Sequence, residues 1–162
     1  MVWGVFGVLA VLHVAYSTWT AKRLDRLHRR VDSARAALDA QLRQRAEAAL
    51  AFARPGRTTV LRELAAAAQS ALEVPGLGHD REVAESALSR ALQAAGRDAD
   101  AALVVVTTRT SFARRFHNDT VRDALVVRRR RVVRLFRLAG SARMPTFFEM
   151  DDTVLERRTI EV

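Results

Sequence analysis

The sequence predicts an all-α protein in which one N-terminal transmembrane helix continues into an antiparallel four-helix bundle with long first and last helices. Three observations carry that expectation. No charged side chain occurs between Met1 and Ala21. Beyond it, apolar residues recur at three- and four-residue intervals, the period of an amphipathic helix. Between Ala21 and Gly140 the helix breakers are confined to Pro55-Gly56, Pro75-Gly76-Leu77-Gly78 and Gly96. The expected division is an anchor over residues 1–21, a helical body over 22–139 and a tail over 140–162.

The anchor rests on the run Val5, Phe6, Val8, Leu9, Val11, Leu12 and Val14, because about 20 largely apolar residues suffice to cross a bilayer core as a helix. Trp3 at one end and Tyr16 and Trp19 at the other sit where aromatic rings meet head groups. Lys22, Arg23, Arg26, Arg29 and Arg30 follow the span against a single early acid, Asp25. The positive-inside rule then puts the N-terminus outside and the body in the cytoplasm of a single-pass cell-membrane protein. A cleaved signal peptide would carry its positive charge before the apolar stretch, not after it. His13, inside the span, is read as a tolerated polar residue.

The first body helix follows from Leu24, Leu27, Val31, Ala34, Leu38 and Leu42, with Ala49 and Phe52 extending the stripe to Arg54. Thr58 or Thr59 is placed to cap a second helix running to about Val74. For the third, Asp80 is the candidate N-cap and Val83, Ala87, Leu88, Ala91 and Leu92 the expected apolar face. Asp98 or Asp100 opens a fourth helix with no breaker until Gly140, roughly 60 Å long at about 1.5 Å per residue. Within it the run from Leu103 to Thr108 has strand propensity. A lone strand has no partner for its backbone hydrogen bonds, so helix is the consistent assignment.

The formal charge is +9, with 27 basic residues of which Lys22 is the only lysine. That balance favours anionic partners, lipid head groups above all. Nucleic acid is the disfavoured alternative, because few aromatic rings lie among the arginines to stack on bases. Cysteine is absent, which removes disulfides, thiolate metal sites and thiol nucleophiles together.

The run Phe112-Ala113-Arg114-Arg115-Phe116-His117-Asn118-Asp119-Thr120-Val121-Arg122-Asp123 resembles the signature of the LemA family, in which a tyrosine usually stands in the place of His117. The terminal Phe147-Phe148-Glu149-Met150-Asp151-Asp152 is similar to that family's aromatic-acidic motif, and Leu38-Asp39-Ala40-Gln41-Leu42-Arg43-Gln44-Arg45 resembles its first bundle helix. The resemblance implies a bacterial membrane-tethered four-helix bundle with an outside N-terminus, and implies no activity. The chain departs from the family pattern at Arg54-Pro55-Gly56-Arg57 and lacks the tyrosine-proline turn usual before the last helix.

Two candidate sites emerge. Arg114, Arg115, His117, Asn118, Asp119 and Arg122 form a polar patch offering donors, acceptors and a titrating ring. It is read first as a polar layer that sets helix register with Phe112 and Phe116 packed beneath it, and second as a ligand-binding or partner-contacting patch. Arg128, Arg129, Arg130, Arg131, Arg134 and Arg137, interleaved with Val132, Val133, Leu135, Phe136 and Leu138, have an interfacial amphipathic pattern. In an up-down-up-down bundle they return beside Lys22–Arg30 and form, with Lys22, Arg23, Arg26, Arg29 and Arg30, a second contact with the anionic leaflet.

No catalytic residue, cofactor or metal site is expected. His28, His79 and His117 are scattered, no Glu-x-x-His pair occurs, and nucleophile-elbow, phosphate-loop and dinucleotide motifs are missing. Glu149, Asp151 and Asp152 read as solvated acids. The leading expectation is a membrane-tethered, non-catalytic scaffold or adaptor. An enzyme with a bundle-core site around His117, Asn118 and Asp119 is the remaining alternative.

Overall fold

A computed structural model of the chain describes residues 2–53, 58–95, 99–130 and 143–151. The described residues form four α-helices and no strand: α1 (Val2–Ala53), α2 (Thr59–Glu73), α3 (His79–Ala95) and α4 (Ala101–Arg128). Their starts follow the local chemistry. Thr58 is extended and its hydroxyl accepts from the Leu61 amide at 3.3 Å, which satisfies one of the orphan donors of the first turn of α2. Asp100 does the same for α4, its carboxylate accepting from the Leu103 amide at 2.7 Å. Asp80 lies within the first turn of α3 instead of capping it, where its charge still favours the positive end of the helix. Gly76 turns the α2–α3 connection with φ 72°, a left-handed conformation that glycine adopts without strain.

Two compact units divide the chain, Met1–Ser33 with Asp119–Thr146 and Ala34–Asn118 with Phe147–Val162. The larger one is a four-helix bundle built from all of α2 and α3 and the parts of α1 and α4 that it contains. Its main core joins Ala46, Ala49 and Ala53 of α1 to Leu64, Ala68 and Ala71 of α2, Leu88 and Leu92 of α3, and Leu103 of α4. Alanine on the facing sides of α1 and α2 lets the helices approach closely, and the leucines fill the remaining volume. A second cluster in this unit brings Phe148 and Met150 against Leu38 and Leu42.

In the smaller unit α1 and α4 run antiparallel. Val31 packs with Val121 and Ala124, and Leu24 with Val127, so one number falls as the other rises. These contacts keep the apolar stripe of α1 as the sequence spaced it.

Three expectations are corrected. The apolar face of α3 is rotated: Val83 is exposed, and the buried row is Arg81, Ala84, Glu85, Leu88, Ser89, Leu92 and Ala95. Phe112 is 64% exposed and Phe116 is exposed as well, while Thr107, Thr110, His117, Asn118 and Thr120 face inward. Finally, α4 stops at Arg128, its 28 residues giving a length of about 42 Å instead of roughly 60 Å. Arg129 still bonds back to the Leu125 carbonyl at 3.0 Å, but Arg130 tightens to the Val127 carbonyl at 3.2 Å, the three-residue spacing of a closing turn. Consecutive arginines repel one another, while a guanidinium at this end complements the negative pole of the helix. The rest of the expected amphipathic segment, including Arg131, Arg134 and Arg137, lies outside the described residues.

Among the described residues no helix is long and apolar enough to cross a membrane. The span expected over residues 1–21 draws on Met1, Val2, Val5, Val8 and Leu9, whose side chains lie outside the described residues.

Candidate functional site

The polar patch of α4 divides between two structural tasks. In the larger unit the Asn118 side chain clamps the backbone of Phe148: its Nδ2 donates to the Phe148 carbonyl at 3.1 Å, and the Phe148 amide donates to its Oδ1 at 2.9 Å. A primary amide thus pairs with an extended peptide as a neighbouring strand would, and satisfies buried backbone groups that would otherwise cost free energy. His117 is buried next to it in sequence, whereas Arg115 is exposed and Arg114 half-buried. In the smaller unit exposed Asp119 and Arg122 pair at 2.6 Å, being neighbours three residues apart on one helix.

The Phe148 clamp belongs to a longer arrangement. Residues 147–151 lie along the larger unit without regular structure, and their side chains alternate, Phe148 and Met150 buried, Phe147, Glu149 and Asp151 exposed. The Glu149 amide donates to a Glu82 carboxylate oxygen at 2.9 Å, and the Asp151 amide to the Ser86 hydroxyl at 3.2 Å. The Asp151 carboxylate meets Arg90 at 3.5 Å. Three helices therefore hold one extended segment, α4 through Asn118, α3 through Glu82, Ser86 and Arg90, and α1 through the leucines beneath the two buried side chains. The acids expected to be merely solvated are in part tail-docking groups.

Beneath Met150 lies a buried charge cluster that sequence reasoning missed. Arg45 of α1 and Arg81 and Glu85 of α3 are 1%, 1% and 0% exposed. Arg45 donates through Nη2 to one Glu85 carboxylate oxygen and through Nη1 to Ser89 Oγ at 3.2 Å. Arg81 donates through Nε to the other Glu85 oxygen at 2.8 Å and through Nη1 to the Val74 carbonyl at 2.6 Å. The Met150 sulfur lies 3.9 Å from Arg45 Nη2. One carboxylate between two guanidinium groups leaves the cluster with net positive charge, and Arg45 Nε and Arg81 Nη2 find no hydrogen-bond partner among the described residues. The available signal was the four-residue spacing of Arg81 and Glu85 in register with Leu88 and Leu92.

The basic residues expected at a membrane surface fall in the smaller unit where they are described. Arg128 Nη1 lies 3.2 Å from His28 Nε2 and donates to the Arg143 carbonyl at 2.9 Å. The last turn of α4 thus stands beside the segment of α1 that carries Lys22, Arg23, Arg26, Arg29 and Arg30. Arg29 is paired with Asp25 at 2.9 Å, and the Arg23 guanidinium sits over the Trp19 ring at 5.7 Å. Arg129 and Arg130 are exposed.

Among the described residues no three His, Cys, Asp or Glu side chains converge as metal ligands. Comparison with protein-family models, curated proteins and solved structures gives no match for this chain.

Proposed function

We propose that this protein is a membrane-tethered, non-catalytic helical scaffold of the LemA type, held by residues 1–21 with its helical body on the cytoplasmic side and a second electrostatic contact to the anionic leaflet. The observation that carries the reading is the surface of the first turns of α1. Trp3 is 89% exposed, Phe6 62% and Leu12 60%, with Val11, Val14, Tyr16 and Trp19 also exposed. These positions point in every direction around the helix. Large apolar side chains exposed in every direction suit another medium, a protein core or a bilayer, and support the reading although His13 and Thr18 are exposed among them. The basic segment that follows, with Arg23 stacked on Trp19, suits a head-group boundary where aromatic rings and cations lie together. The non-catalytic half of the reading is supported by the patch on α4, where Asn118 is engaged by the Phe148 backbone and Asp119 by Arg122.

Fractionation of cells expressing the full chain tests the tether. The protein is expected in the membrane pellet after alkaline and high-salt washes and in the supernatant only after detergent. A Phe6→Arg/Leu12→Arg variant places two charges in the span, each costing about 2.5–3.5 kcal/mol at a helix centre, and is expected to leave the membrane. Recovery of the unaltered chain in the salt or alkaline wash would rule the tether out.

A further inference from the structure

We infer that the groove holding residues 147–151 is an exchangeable recognition site, and that its external ligand is the same segment of a second copy of this chain. The segment is bound as a peptide ligand is bound. Its backbone is read at Phe148, Glu149 and Asp151 by the side chains of Asn118, Glu82 and Ser86. Alternate side chains, Phe148 and Met150, pack on Leu38 and Leu42, with the Met150 sulfur also against Arg45. This division of labour, backbone bonds for affinity and alternate pockets for specificity, is that of strand-type peptide recognition. The pattern the groove selects is aromatic, any, methionine-sized, acidic, with Arg90 reading the last position.

Two features make the occupant replaceable. The main core of the larger unit contains none of residues 147–151, so the packing among its four helices there does not use the segment. Among the described residues the polar contacts to it come from side chains on the helices, and a second copy's segment would present the same backbone to them. The chain's own sequence satisfies every position, including charge complementarity at Arg90. Reciprocal exchange of an identical segment closes a symmetric dimer at little cost, because the bonds that open within each chain form again between the two chains. Such exchange does not depend on the membrane tether.

A charge swap at the exposed end of the groove tests it on full-length protein in detergent. One chain carries Arg90→Asp and the other Asp151→Arg, under different tags. Within either chain the segment now meets a like charge, whereas exchange between the two restores both pairs. An exposed pair shifts binding by roughly twofold to fivefold, so two matched pairs favour the mixed dimer by about fourfold to twenty-five-fold over mixing of unaltered chains. Both substitutions lie at exposed positions, and equal helical content and melting for all chains checks the fold. In a second arm a labelled peptide matching residues 145–151 is titrated onto the Phe148→Ala/Met150→Ala chain, whose own segment no longer fills the pockets. Saturable binding that Asn118→Ala abolishes is expected. Absence of a mixed-dimer preference overturns the inference, and peptide binding without that preference reassigns the groove to an extended segment of another protein. Failure of the peptide to bind also overturns it.

Discussion

Glu85 neutralises one of the two arginines it touches, so Arg45 and Arg81 enter the core of the larger unit with an uncompensated charge. Removing the carboxylate leaves both guanidinium groups buried without it, and breaking such a cluster costs about 3–5 kcal/mol. Glu85→Ala is therefore expected to lower the unfolding free energy by that amount in a urea titration. Replacing Arg45, Arg81 and Glu85 together by Met, Met and Leu is expected to cost less than the single change, since no charge is then desolvated. A triple variant less stable than Glu85→Ala would show that the cluster contributes more than its desolvation penalty. The buried face of α3 was not legible at this scale for a physical reason. Arg81 and Glu85 look like an exposed pair at four-residue spacing, and only Arg45, 40 positions away in sequence from Glu85, makes their burial tolerable. Asn118 stands out among its neighbours in the sequence, but its partner, the Phe148 backbone, carries no sequence signal at all.

At the scale of elements, the starts of α2 and α4 were legible because capping is local, whereas Asp80 lies inside the first turn of α3. Thr58→Ala removes the bond to the Leu61 amide and is expected to lower stability by about 1 kcal/mol, with Thr58→Asn close to unaltered. Gly76→Ala meets no atom within 4 Å of the added methyl, so its cost is conformational alone, about 1–2 kcal/mol at positive φ. Thermal melting of both variants measures these values; a neutral Gly76→Ala would mean that the turn relaxes out of the left-handed region. The strand-like run from Leu103 to Thr108 became helical because Leu103 and Thr107 fall on one buried side, continued by Thr110. Thr108 and Thr110 also return hydrogen bonds to the Val104 and Val106 carbonyls at 2.9 and 3.0 Å. Phe112 and Phe116 failed as core residues because a helix buries one side only. On α4 that side is claimed by the amide that holds the C-terminal segment.

For the whole molecule, the basic balance predicts a surface effect that salt weakens. A chain lacking residues 1–21 is expected to bind vesicles rich in anionic lipid and to ignore zwitterionic ones. Arg128 is engaged by His28 and the Arg143 carbonyl, so its replacement would disturb the smaller unit itself. Arg129→Gln/Arg130→Gln is the cleaner variant. At about 1 kcal/mol for each arginine near such a surface, the pair is expected to weaken vesicle binding by roughly thirtyfold. Equal binding by the altered and unaltered chains in a sedimentation assay would remove these arginines from the membrane contact.

The sequence by itself determined the all-helical class, the four helices and the apolar stripe of α1, and narrowed two caps to Thr58 or Thr59 and Asp98 or Asp100, because periodicity, breakers and capping act within a few residues. Tertiary structure alone decided which sides of α3 and α4 turn inward, where α4 ends, and what the acidic C-terminal motif does. The inward sides and the role of the motif depend on Glu85 of α3 meeting Arg45 of α1, 40 positions away, and on the Asn118 amide meeting an extended backbone 30 positions on, pairings that no local pattern encodes.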